Sequence, residues 1–227
     1  MTNRRFVRIG LLVLGTSITM ACNKGVELKM AINVISEPEK ADIKFKGKSV
    51  GQTPASVDVK TFDDLESIAA QKESLDVVEK RIRIISPTEA TVIFKLGKGG
   101  QSPVAKNLGL NRILIFDYSE KVAFDTDKAD LKPDALEILN KQAEILQQYF
   151  PAATVHVCGY TDGTGADDYN TKLSLKRADA VTNYLIARGV AKDRLKPHGF
   201  GKEFPVDSNA TPVGRALNRR TEVILPQ

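Results

Sequence analysis

The residues of this chain best placed to do chemistry are an acid and a permanent cation, Asp162 and Arg177, with a glycine-rich break between them. A guanidinium keeps its charge at any physiological pH and presents a planar fork of donors that fits a carboxylate. A carboxylate complements an ammonium. Held together, the two groups form an internal salt bridge that orients a loop; held apart, they form a split site that grips both ends of a zwitterion. The spacing allows either. Other chemistry has less support. Cys158 has His156 two residues away, but no group that would orient a base is recognisable. The chain has 2 His in all, His156 and His198, and they lack metal-ligand spacing.

Periodicity defines the elements that must hold the pair. Val155 and Val157 alternate with His156 and Cys158, which predicts a strand over 153–158. Gly159, Gly163 and Gly165 break regular structure, and Asp167 and Asp168 offer N-cap chemistry and negative charge to a helix over 168–188. At about 100° per residue, Asn170, Leu173, Ser174, Arg177, Ala178, Val181, Tyr184 and Leu185 share one helix face. Arg177 therefore lies in the stripe that faces the rest of the domain. Burying it unpaired costs several kcal/mol, so it needs an anion. Asp162 is the nearest candidate in sequence. Around this unit, a strand over 113–124 and a helix opened by Pro133 and ended by Pro151 precede it. That helix carries Leu136, Leu139, Ala143, Leu146 and Phe150 as a core stripe. Strands near 194–199 and 220–225 follow. The expected fold class is α+β, with a mixed sheet covered by helices.

Several motifs in order and spacing resemble the OmpA-like peptidoglycan-binding domain, as found in Pal-like lipoproteins. They are Phe124-Asp-Thr-Asp127, Gly159-Tyr-Thr-Asp162-Gly-Thr-Gly, Tyr169 through Ala178, Gly199-Phe-Gly-Lys, Pro205, Asn209-Ala-Thr and Gly214-Arg-Ala-Leu-Asn-Arg-Arg220. The match covers 113–227. The resemblance implies that Asp162 and Arg177 grip the diaminopimelate residue of the peptidoglycan stem peptide. It implies lesser contacts from Asn170, Thr164, Asp125, Asp127, Leu173 and Arg219. Tyr160 stands where the family commonly has His, and Asp127 stands where Asn or Asp occurs.

The first 21 residues hold Arg4, Arg5 and Arg8, no acid, and an apolar run over 9–20. That run is too short to span a bilayer comfortably. This is the layout of a secretory signal peptide. Ala21-Cys22 resembles a lipobox, with Thr19 where an aliphatic residue is usual, and predicts lipidation at Cys22. Asn23 after the Cys favours the outer membrane. Acyl chains contribute about 0.8 kcal/mol per buried CH₂, so several on one Cys make a stable anchor. The alternative is ordinary cleavage nearby and release of a soluble protein. Of the chain's 33 Lys and Arg, three are in the leader, so the rest nearly cancel its 28 Asp and Glu, and no basic face for nucleic acid is implied. If Cys22 is acylated, Cys158 is the one remaining thiol and forms no internal disulfide.

Residues 22–97 read as a small β-sandwich. Met30, Ile32 and Val34 alternate with their neighbours, as do Ile43 and Phe45, and Gly47 marks a turn. Pro38-Glu-Lys-Ala41 with Gly47, Gly51 and Thr53-Pro54 is similar to the PEGA domain. A short helix within 62–78 and strands over 81–86 and 90–96 complete it. Gly-rich residues open the linker at 98–112.

The function expected is that of a non-enzymatic outer-membrane lipoprotein, on the periplasmic face, tethering the membrane to peptidoglycan. No cofactor or metal is expected, and an envelope protein is a candidate partner for the N-terminal module. Alternatives are a soluble or inner-membrane-anchored periplasmic binding protein and a cell-wall hydrolase. The hydrolase would need a metal set or a carboxylate pair at a bound glycan. A transmembrane β-barrel is disfavoured by the lack of alternating strands with aromatic girdles, in a chain with only 6% aromatic residues.

Overall fold

Alternation along Glu27–Glu37 makes the first strand, β1: Leu28, Met30, Ile32 and Val34 are buried while Lys29, Ala31 and Asn33 are exposed. The computed structural model describes residues 25–98, 101–119, 123–124 and 128–227. After β1 come β2 (Asp42–Phe45), β3 (Lys48–Gln52), β4 (Ala55–Thr61), helix α1 (Phe62–Glu66), β5 (Ala69–Gln71), β6 (Asp76–Ser86) and β7 (Glu89–Gly97). Helix α2 (Pro103–Asn107), β8 (Ile113–Ser119), α3 (Pro133–Gln148), β9 (Val155–Gly159), α4 (Asp167–Ala187), β10 (Leu195–Gly199), α5 (Pro212–Asn218) and β11 (Arg220–Pro226) follow.

Among the described residues one sheet has eight strands in the order β10-β9-β11-β8-β6-β7-β1-β4, and a second has the order β3-β2-β5. The large sheet is mixed. β9 and β10, β6 and β8, and β1 and β7 pair parallel; the other neighbours pair antiparallel. No helix among the described residues is long and apolar enough to cross a membrane.

The N-terminal strands do fall into two sheets, as a sandwich requires. The larger sheet, however, is not confined to the N-terminal segment: β6 pairs with β8 in register from Glu79–Ile113 to Ile84–Tyr118. The sheet thus runs across the expected linker, where Ser102 caps the short helix α2 by accepting from the Ala105 amide. The helix expected within 62–78 is only the five residues of α1, and β6 begins at Asp76. β8 ends at Ser119 rather than 124.

Strand alternation gives the large sheet two different faces. Ile82 and Ile84 of β6, Leu114, Phe116 and Tyr118 of β8, Val155 and Val157 of β9, and Val223 and Leu225 of β11 point toward the main core with α3 and α4. The stripe on α3 is rotated by a row from expectation: Ala135, Ile138, Gln142 and Ile145 are buried with Leu139, Ala143 and Leu146. The opposite face holds Ile113, Ile115, Cys158, Tyr160 and Ile224 under Val104 and Ala105 of α2.

That second face also holds a buried charge cluster that the alternation does not reveal. Arg81 bonds Glu79 at 3.0 Å, Asp117 at 3.1 Å and Glu222, and Arg220 bonds Glu222 at 2.7 Å. Each of these side chains is 3% exposed or less. Burial alone would raise the Glu222 carboxyl, but the Arg220 and Arg81 guanidinium groups outweigh it and pull it to about 2. The cluster joins β6, from the N-terminal segment, to β8 and β11.

Candidate functional site

Asp162 lies just past the end of β9, and Arg177 lies near the middle of α4. Close approach of these elements requires Gly159, because a Cβ there would sit 1.9 Å from the Ser174 carbonyl oxygen. Gly165, with φ of +85°, turns the chain back toward α4. The first helical residues are Asp167 and Asp168, but the cap position is Ala166, which makes no side-chain cap bond. The two acids act through charge at the positive end of the helix, and Asp167 also pairs with Lys202 at 2.6 Å.

The helical stripe holds for its polar members as well. Asn170, Ser174, Arg177, Ala178, Val181 and Leu185 are buried, Leu173 and Tyr184 are half-buried, and Thr182 joins the stripe. Arg177 is 1% exposed. Its Nε donates to the Lys128 carbonyl at 3.0 Å, and its guanidinium carbon lies 5.2 Å from the Phe124 ring centroid. The sequence pointed to Asp162 as its anion. The structure instead gives the Asp162 carboxylate to Arg219, whose Nη1 donates at 2.7 Å. A partner that is 57 positions away in sequence cannot be chosen from local spacing.

Asp162 is 7% exposed, so neither Asp162 nor Arg177 is as hydrated as an open split site would leave it. One oxygen accepts from the Thr164 amide at 2.9 Å and from the Thr164 hydroxyl, and the other takes Arg219. Burial pushes this carboxyl up. The Thr164 hydroxyl and amide and the Arg219 guanidinium outweigh that push and hold it below its ordinary value. Asn170 Nδ2 donates to the Thr164 carbonyl at 2.8 Å, which ties the loop to α4. The structure therefore brings Asp162, Thr164, Asn170 and Arg219 into one network. Leu173 lies on the same helix between Asn170 and Arg177. Asp125, Asp127 and Cys22 lie outside the described residues.

Spacing alone does not mark the supports of this loop. The Thr161 amide donates to the Gly201 carbonyl at 2.7 Å, and the Gly201 amide donates to Ser174 Oγ at 2.9 Å. The Gly163 amide donates to Asn209 Oδ1 at 3.0 Å. Gly201 and Asn209 both sit in the quoted motifs, which was the available signal. Tyr160 is fully buried, with the Arg220 guanidinium carbon 3.7 Å from its ring centroid, so the residue at this position packs.

Burial, with the Glu222 charge nearby, pushes the Cys158 thiol well above its ordinary value. His156 Nδ1 lies 3.0 Å from His198 Nε2, on β9 and β10. Among the described residues, no group of three or more His, Cys, Asp or Glu side chains is placed to hold a metal ion.

A mixed sheet with α3 and α4 on one face, and a charged loop between β9 and α4, defines the class. Residues 123–219 match the OmpA family, and the chain carries an OmpA-like domain. It is 48% identical over 104 residues to the peptidoglycan-binding protein ArfA of Mycobacterium tuberculosis, over 46% of this chain and 32% of that protein. It is 42% identical over 112 residues to the probable lipoprotein YiaD of Escherichia coli, over 49% of this chain and 51% of that protein. The chain thus spans about a third to a half of these relatives. Among solved structures, the peptidoglycan-associated lipoprotein of Burkholderia pseudomallei is 31% identical, with a TM-score of 0.43, over 46% of this chain and 87% of that one.

Proposed function

We propose that this protein binds peptidoglycan non-covalently through its OmpA-like domain and is a tether of the cell envelope, not an enzyme. The ligand is the diaminopimelate residue of the stem peptide. The observation that carries this reading is the Asp162 loop: a carboxylate held ionised by Thr164 and Arg219, beside a helix that fixes Arg177. Asp162 meets the ligand ammonium and Arg177 meets its carboxylate with a bidentate fork. Arg219, which is one-third exposed, is released from Asp162 by the incoming ammonium and turns to the ligand carboxylate. Asn170, Thr164 and Leu173, on or bonded to the same helix, add further contacts to the ligand, and Asp125 and Asp127, which lie outside the described residues, are included on the resemblance alone. The names of the relatives, a peptidoglycan-binding protein and a probable lipoprotein, support peptidoglycan as the target and an envelope setting.

In this reading Cys22 carries lipid and holds the protein at the periplasmic face of the outer membrane. Residues 22–97 serve as a spacer or as the module for an envelope protein partner.

The test is co-sedimentation of the purified protein with peptidoglycan sacculi, with and without free diaminopimelate. The protein is expected in the pellet, and diaminopimelate is expected to move it to the supernatant. A protein that stays in the supernatant with diaminopimelate-type sacculi contradicts the proposal.

A further inference from the structure

Two asparagines outside α4 hold the Asp162 loop. Asn218, at the end of α5, is 1% exposed. Its Oδ1 accepts from the Val206 and Asp207 amides at 2.8 and 3.0 Å. Its Nδ2 donates to the Asp207 carbonyl at 2.8 Å and to Asn209 Oδ1 at 2.9 Å. Asn209 Oδ1 then accepts from the Gly163 amide at 3.0 Å. Arg215 Nη1 fixes the Asn209 backbone by donating to its carbonyl at 3.0 Å. The chain of contacts thus runs from the buried end of α5, next to Arg219, to the residue between Asp162 and Thr164.

We propose that Asn209 and Asn218 are positioning residues of the binding site: they fix Gly163 and thereby aim the Asp162 carboxylate and the Thr164 amide. This inference rests on the reading of the loop as the stem-peptide site. The geometry sets different demands on the two side chains. Asn209 uses its Oδ1 as acceptor toward both Gly163 and Asn218, a role that an aspartate oxygen can fill. Asn218 uses both ends of its amide. An aspartate there would set an oxygen against the Asp207 carbonyl and the Asn209 oxygen, two acceptors with no proton between them.

The experiment uses the full chain as wild type, Asn209→Leu, Asn209→Asp and Asn218→Asp. It reads amide hydrogen exchange at Gly163, melting temperature, and binding to diaminopimelate-type sacculi. Asn209→Leu is expected to speed exchange at Gly163 and to weaken binding about tenfold, with its melting temperature near that of wild type. Asn209→Asp is expected to restore both, and Asn218→Asp to lose both. A protected Gly163 amide with wild-type binding in Asn209→Leu overturns the inference, as does an Asn209→Asp variant as impaired as Asn209→Leu. If the wild type itself does not bind sacculi, the functional reading fails. Gly163 exchange then still decides the role of the two asparagines: fast exchange in Asn209→Leu supports it and slow exchange overturns it.

Discussion

Replacing Arg177 and Arg219 in turn by alanine separates a buried cation from a partly solvated one. Arg177 is 1% exposed. The Arg177→Ala variant loses a charged donor to the Lys128 carbonyl at 3.0 Å, worth about 1.5–3 kcal/mol. It also loses the stacking on Phe124, worth about 0.5–2 kcal/mol. These two contacts alone give roughly 2–5 kcal/mol. For a chain of this size that lowers the melting temperature by roughly 5–20 °C. Arg219 holds Asp162 at 2.7 Å, but its side chain is 33% exposed. Screening there leaves a partly exposed pair worth up to about 1 kcal/mol, so Arg219→Ala should melt within about 2–4 °C of wild type. Thermal melts by circular dichroism, with sacculus co-sedimentation on the same samples, read both effects. Binding should fall in both variants. A wild-type melt for Arg177→Ala would refute the account of Arg177 as a buried, contact-making cation. A larger loss for Arg219→Ala than for Arg177→Ala would refute the ranking by burial.

Arg81→Met leaves Glu79, Asp117 and Glu222 buried with one cation fewer, and chemical denaturation should show a loss of about 3–5 kcal/mol. For the same reason a 104–227 fragment, which lacks β6, should be less stable than the full chain by circular dichroism. Burial lowers the His156 and His198 values below the ordinary 6.5, and His198 and Lys196 also act on His156. The folded state thus favours neutral rings. Their contribution is whole above the unfolded value and is lost as pH falls from about 6.5 toward the lower folded values. Melting temperature should drop over that window, and the drop should be shallower in the double variant His156→Phe with His198→Phe. Cys22→Ser should remove the protein from the membrane fraction; unchanged fractionation, with no acyl mass on the wild type, would count against the lipid anchor.

The β9-loop-α4 unit was legible because two periods meet in it. Alternation at 155–158 and the helical stripe from Asn170 to Leu185 both survive in the structure, down to the burial of Arg177. The partner of Asp162 was not legible, since Arg219 reaches it only after β10 and α5 fold back across the sheet. The strand order was hidden for a related reason. Glu79, Arg81 and Arg83 alternate with Lys80, Ile82 and Ile84, and a row of charges reads as a solvent face. Here their counter-charges, Asp117 and Glu222, come from strands far along the chain, so the row is covered rather than wet. The glycine-rich stretch before residue 101 read as the start of a linker, while β6 and β8 pair across it.

The central claim is that a diaminopimelate stem peptide binds at the loop carrying Asp162. The most direct measurement is a titration of isotope-labelled full-length protein with a soluble diaminopimelate-containing tripeptide, followed by amide chemical shifts. The account predicts the largest shifts at Thr161 through Thr164, at Asn170 and at Arg219, and their disappearance in a folded Asp162→Ala variant. Shifts centred on the β3-β2-β5 sheet, or shifts at the loop that persist in Asp162→Ala, would contradict it.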